Sequence, residues 1–349
     1  MSSPPPGCRA AWPGRNRNLP TPLSAHIPSP DGGNFDPGVT RKAGRGHPVC
    51  VIESRCAVLS AALDEPQEGT AATARAWICL EQPGPWGRDA LVDSRLDPAL
   101  GAELARRAAA AHARVLLIRR PGRHADVPGP RRAYLAATAP GRTRLERVDL
   151  AAPEQLLDLD LAALAAGRPT GLGRVTTAPV LLVCANSRRD ACCALLGRPL
   201  AAALAAERPG QVWECSHTGG HRFAPTGVLL PTGYTYGRLD ADLGRLLLDR
   251  AAAGRVVAER CRGRSAHDPA GQVAELAVRR ATGEDRDTLA VAADPDGPDR
   301  CTVRHADGRA WRVTTAVREL PHRRPASCGA VPGPATATVV TDLRAAVAG

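Results

Sequence analysis

Two short segments of this chain carry residues that could do metal chemistry. One is Cys184-Ala-Asn-Ser-Arg-Arg-Asp-Ala-Cys-Cys193; the other, about thirty residues on, is His217-Thr-Gly-Gly-His221. Each follows a short apolar run. Thiolate and imidazole together are soft ligands that suit zinc or an iron–sulfur cluster. On a helix a spacing of four would put both histidines on one face, but Gly219 and Gly220 argue against a helix there. They permit a tight loop that wraps two imidazoles around one centre. With no Glu between the histidines, the signature of a zinc hydrolase is missing. Cys193 should open a helix, whose N-terminus favours a thiolate, and Arg188 and Arg189 push the same way. Cys192 and Cys215 adjoin these residues and stay open as substitutes, with Cys193 preferred over Cys192. Cys50, Cys56, Cys79, Cys261, Cys301 and Cys328 read as core or loop cysteines.

Strands must present these ligands. Residues 179–183 read as a central strand, 191–206 as a helix softly broken by Pro199, and 211–215 as the next strand. A hairpin is predicted over 227–230 and 234–237, then an amphipathic helix over 239–253 anchored by Leu243, Leu246, Leu247 and Leu248. Strand, helix, strand, hairpin, helix is the order of a thioredoxin-like domain, expected over 171–260.

An α/β domain is expected before it, over 49–170. It would hold strands at 76–80, 114–119 and 132–137, helices at 99–113 and 156–166, and a connector from 167 to 177. Pro83-Gly-Pro-Trp-Gly87 reads as a turn that could also hold a binding loop. An α+β extension over 261–349 should contain a helix at 269–282 and strands near 287–293, 301–305 and 311–315. Residues 1–48, rich in proline and glycine, read as a disordered tail with Cys8 incidental.

Composition narrows the function. The net charge is +11, but Lys42 is the only lysine and the arginines are scattered, while aromatics are 3%. A nucleic-acid face needs clustered basic residues with stacking aromatics, so the charge better suits an acidic protein partner. No apolar run approaches 20 residues and no signal peptide opens the chain, so neither a membrane span nor export is expected. Eleven irregularly spaced cysteines in a long chain fit free thiols in a reducing cytoplasm.

At these residues the chain resembles the sucrase/ferredoxin-like family, whose carboxy-terminal part looks like a thioredoxin-like ferredoxin. The likeness is carried by Cys184, Arg189-Asp190, Cys193-Ala-Leu-Leu-Gly197, Ser216-His-Thr-Gly-Gly-His-Arg-Phe-Ala224 and Tyr236-Gly-Arg238. Gly69-Thr-Ala71, Ala76-Trp77, Leu80-Glu-Gln-Pro-Gly-Pro-Trp-Gly87 and Pro325-Ala-Ser-Cys-Gly329 extend it. The loop Ala185-Asn-Ser187 departs from relatives, which often have Gly or His near the first Cys. The resemblance implies a 2Fe–2S cluster held by Cys184, Cys193, His217 and His221, and an electron carrier served by a redox donor and acceptor, a flavoprotein reductase being a candidate. Arg222 would then add positive charge for partner docking. A structural zinc site and a thiol–disulfide oxidoreductase are the rival readings, although a Cys-x-x-Cys is missing. Glycoside hydrolysis is not expected, because nothing here supplies the carboxylate pair it needs.

Overall fold

The computed structural model describes residues 55–122, 129–294 and 297–346. The tail expected over 1–48, with Cys8, and Cys50 beyond it lie outside the described residues. The described residues fall within one compact unit, Cys50–Gly349. The protein is a mixed α/β structure with a ten-stranded sheet and a four-stranded antiparallel sheet.

In the large sheet, β1 (Ala76–Glu81) is followed by α2 (Pro98–Ala110) and then β2 (Ala113–Arg119), which pairs parallel to β1. Before β1 comes a short helix, α1 (Cys56–Ala62). Asp97 caps α2 by accepting the Leu100 N–H at 2.9 Å, with Pro98 at the first helical position. The hairpin of β3 (Arg131–Ala137) and β4 (Arg144–Leu150) adds antiparallel to the other side of β1. The helix expected over 156–166 is interrupted. A 3-10 turn at Pro153–Asp158 is followed by the short α3 (Leu161–Ala165), because Leu159 is extended and Asp160 caps a new helix. The expected connector contains a two-residue edge strand, β5 (Arg174–Val175).

The same plan recurs further along. β6 (Val180–Cys184), α4 (Ala191–Glu207) and β7 (Val212–Cys215) form a parallel crossover, and the hairpin of β8 (Gly227–Leu230) and β9 (Tyr234–Tyr236) adds beside β6. Strand orders β2-β1-β3-β4 and β7-β6-β8-β9 are thus equivalent, and β2 meets β7 antiparallel through Ile118–Cys215 and Arg119–Glu214. The sheet therefore runs unbroken across residue 170. Its central strands β6, β7 and β8 are buried on both faces, as apolar runs such as Val180–Cys184 require.

Pro199 does not break α4. It and Leu195, four residues earlier, both face water, so the carbonyl that loses its N–H partner is solvated. α5 (Ala241–Ala252) buries Leu243, Leu247 and Leu248, whereas Leu246, expected as an anchor, is 37% exposed. β10 (Cys261–Arg264) closes the sheet beyond β9.

α6 (Pro269–Thr282) then packs against a meander of β11 (Leu289–Asp294), β12 (Gly297–His305), β13 (Ala310–Glu319) and β14 (Thr336–Ala345). Between β13 and β14 residues 324–329 form a strap that returns to α1 and α4. No helix among the described residues is long and apolar enough to cross a membrane.

Candidate metal centre

Parallel pairing of β6 with β7 sets Cys184 beside Cys215, so the two loops leaving these strands emerge together at one end of the sheet. Crevices at the carboxyl ends of parallel strands are where α/β sheets place ligands. Cys184 is the last residue of β6. Gly197 lets α4 lie against its backbone, since a Cβ there would meet the Cys184 carbonyl oxygen at 2.1 Å. Asp190 caps α4, accepting the Cys192 N–H at 2.8 Å, and this fixes Cys193 in the first turn. The second loop is held by Thr218, whose buried hydroxyl lies 3.1 Å from that of Thr226 and whose N–H reaches the Cys184 sulfur.

Gly219 and Gly220 have φ of 87° and 70°, which L side chains rarely adopt. Beneath them lies the buried Arg262 guanidinium, which donates to the Gly219 carbonyl at 2.9 Å, to the Thr70 hydroxyl at 3.0 Å and to the Thr70 carbonyl. Burial lowers its pKa to about 9. A Cβ on Gly220 would sit 2.2 Å from that guanidinium, while one on Gly219 finds only Ala72 at 4.0 Å. Gly220→Ala is therefore expected to cost roughly 2–4 kcal/mol in urea unfolding, and Gly219→Ala only about 1–2 kcal/mol. Equal losses would show that Arg262 does not constrain the loop.

The ligand atoms of Cys184, Cys193 and His217 all lie within 4.8 Å of one another. His221 stands outside that group, but its ring centroid is 5.2 Å from that of His217, with the planes at 35°. Its Nε2 is 3.9 Å from Asp190 Oδ2, and its ring also bonds the backbone at Ala326 in the strap. The Nδ1 atoms of both histidines are buried and have no protein partner. Buried polar atoms are nearly always satisfied, so two orphaned imidazole nitrogens, His217 being close to two thiols, make this a candidate ligand site. The donor set of two sulfurs and two nitrogens fits either a 2Fe–2S cluster or a zinc ion.

The thiols divide their charge unequally. A hydrogen bond from Cys193 holds Cys184 well below the usual thiol range despite burial, aided by His217 and the Thr218 N–H. Cys193 is pushed up in turn by Cys184 and by burial. The helix terminus was expected to lower Cys193; the low value falls on Cys184 instead, because Cys193 acts as its donor. Arg188 and Arg189 are exposed.

Cys215 is buried in the core with Trp213 and Leu116, and burial raises its pKa. Cys192 points away from the pocket to a separate group with Cys56, Asp190 and Cys328. Arg222 is not a free docking charge. Its Nε donates to Glu65 Oε1 at 2.6 Å, and Arg324 of the strap grips the same carboxylate. Glu65 carries no recognisable sequence signal, whereas Asp190 is legible as a helix cap.

The Pro83–Gly87 turn is tied to the cysteine loop, and its Gly84 and Pro85 line a separate cavity with Arg119 and Glu214. Trp86 is buried, donates to the Gln82 carbonyl at 3.0 Å and carries the Arg119 guanidinium 4.2 Å from its ring centre. Asn186 fastens this turn to the cysteine loop through the Gly87 carbonyl at 3.1 Å. Beside His217 opens a cavity of about 260 Å³, rimmed by Arg88, Arg114 and Arg189.

These elements define an α/β protein with a thiolate–imidazole pocket at the carboxyl ends of paired parallel strands. The chain belongs to the sucrase/ferredoxin-like family, whose model matches residues 67–263, more than half of its 349 residues. All four candidate ligands fall inside that match, while Pro325–Gly329 lies beyond it. No curated protein and no solved structure matches the chain.

Proposed function

We propose that the protein carries single electrons through a 2Fe–2S cluster held by Cys184, Cys193, His217 and His221, in a domain of thioredoxin-like order. The observation that carries this reading is the meeting of two buried thiols with His217, whose ring lies 5.2 Å from that of His221, both imidazoles having an Nδ1 atom without a protein partner. The order β7-β6-β8-β9, with β6 and β7 parallel and flanked by α4 and α5, supports the domain assignment.

Bound there, such a cluster would supply one-electron exchange at a potential above that of an all-cysteine ferredoxin, because neutral imidazoles replace thiolates. The chain's own residues would set its surroundings. The Thr218 N–H relieves negative charge on the Cys184 sulfur. Asp190, 3.9 Å from Nε2, and the backbone at Ala326 engage the His221 ring and leave its Nδ1 without a protein partner. The arginine-rimmed cavity beside His217 suits an acidic redox protein as donor or acceptor, a flavoprotein reductase being one such partner. Nine free cysteines among the described residues suit a reducing cytoplasm.

Thiol–disulfide exchange is disfavoured because Cys184 and Cys193 are both 0% exposed and an attacking thiolate needs access. Zinc is the second reading. The spacing of Cys184, Cys193 and His217 within 4.8 Å favours it, as that suits ligands on one ion.

Anaerobic purification with a visible spectrum and iron, sulfide and zinc analysis separates the two. A red-brown protein with equal iron and acid-labile sulfide is expected. A colourless protein whose pocket zinc disappears in Cys184→Ser would overturn the cluster.

A further inference from the structure

Beside the proposed cluster lies a second group of soft ligands that electron transfer does not use. The sulfurs of Cys56, Cys192 and Cys328 form a near-regular triangle with edges of 3.8 Å (Cys56–Cys192), 3.6 Å (Cys56–Cys328) and 3.3 Å (Cys192–Cys328). The Asp190 carboxylate closes it, with Oδ2 and Oδ1 at 3.6 and 3.8 Å from the Cys56 sulfur. Thiolates about 2.3 Å from a tetrahedral zinc ion sit about 3.8 Å apart, and a carboxylate oxygen sits about 3.5 Å from each. All four ligand atoms here fall within 4.8 Å of one another.

We propose that Cys56, Cys192, Cys328 and Asp190 form a second, closed metal site for zinc or a similar thiophilic divalent ion. The backbone around the sulfurs favours thiolates. The Ala57 N–H reaches the Cys192 sulfur, and the Cys56 N–H reaches the Cys328 sulfur. Asp190 is oriented by the Cys192 and Cys328 N–H groups, at 2.8 Å to Oδ1 and 2.9 Å to Oδ2, and each oxygen keeps a lone pair for a metal. The group sits at the N-terminus of the 17-residue α4, where negative charge is stabilised. Three sulfurs select a soft ion over magnesium or calcium, and a filled set of four protein ligands makes the site structural. Metal entry would release the three thiol protons, the carboxylate being already ionised.

The three cysteines come from distant parts of the chain, 136 residues separating Cys56 from Cys192 and another 136 separating Cys192 from Cys328. An ion here would fasten α1, the start of α4 and the 324–329 strap into one unit. That strap carries Ala326, the backbone partner of the His221 ring. The site would thus hold in place the group that orients His221.

The inference does not depend on the cluster reading, because zinc can be measured independently of iron. The full-length chain, purified reduced from zinc-supplemented cells, is expected to hold one zinc. Its zinc-edge X-ray absorption should show three sulfurs near 2.3 Å and one oxygen near 2.0 Å. Cys328→Ser, at a half-buried strap position, should lose that zinc, and Cys184→Ser should keep it. Zinc-free protein, a shell containing two sulfurs and nitrogen, zinc lost with Cys184→Ser instead, or a Cys192–Cys328 disulfide in the reduced protein would each overturn the site.

Discussion

His217→Cys is expected to yield a coloured protein whose reduction potential falls by on the order of 100 mV or more, because a thiolate adds negative charge where the imidazole was neutral. Cys184→Ser should instead abolish the visible spectrum and the bound iron. Cys184 is the thiol held most strongly as a thiolate, receiving hydrogen bonds from Cys193 and the Thr218 N–H. A serine there offers a hard, poorly ionised oxygen in a wholly buried position. Redox titration of His217→Cys and iron analysis of Cys184→Ser check these outcomes. An unshifted potential with unchanged iron in both variants would place any cluster elsewhere.

The second large effect concerns stability. Glu65 is buried and receives Arg324 and Arg222, with the Arg222 contact at 2.6 Å, while Arg238 donates to its backbone carbonyl at 2.9 Å. The carboxylate thereby joins the segment after α1, the histidine loop and the strap. Burial alone would raise its pKa, but the hydrogen bonds from Arg324 and Arg222 outweigh burial and lower it. The folded value therefore lies below the unfolded one, near about 4.3. The stabilisation is complete above the unfolded value and is lost as pH falls through the folded one.

Glu65→Gln leaves two arginines facing a neutral amide and is expected to cost roughly 3–5 kcal/mol at pH 7. The gap between variant and wild type should narrow when urea unfolding is repeated in acid below the folded pKa. Equal stability at pH 7 would show that the three segments are held together by other contacts.

Both outcomes turn on residues that differ in how plainly the sequence displays them. Val180–Cys184 reads as a strand because an unbroken apolar run bounded by turn residues has few alternatives. Val212–Cys215 reads as one through Val212, Trp213 and Cys215 around a single Glu214, and the ligand loops follow both directly. The hairpin at Gly227–Leu230 and Tyr234–Tyr236 is equally visible. β10 is not, since Cys-Arg-Gly-Arg looks like an exposed turn. Its arginines are buried because Arg262 finds Thr70 and the Gly219 carbonyl, and Arg264 finds Asp287 and the Thr138 carbonyl. Such partners lie far off in the chain. The same holds for Cys56 and Cys328, which read as incidental thiols because no local spacing links them to Cys192. β14 escaped for a different reason: Thr336–Ala345 is an alternating polar strand that buries little surface, so its periodicity is weak.

The likeness of the two halves also lies in topology. β1-α2-β2 and β6-α4-β7 share an order, but the first half has no cysteine at the end of β1, where Glu81 stands, and none at the end of β2, where Arg119 pairs with Glu214. Only the second half offers ligands at the strand ends. The first half contributes the Gly87 carbonyl that holds Asn186, and Arg88 and Arg114 on the rim of the cavity beside His217; Arg189 comes from the second half.

The most direct test of the central proposal is pulsed electron paramagnetic resonance on the reduced protein carrying ¹⁵N-labelled histidine. Two histidine nitrogens coupled to a 2Fe–2S spin are expected, with one coupling lost in His217→Cys and the other in His221→Cys. A reduced cluster without histidine coupling, or a protein that yields no iron signal, would contradict it.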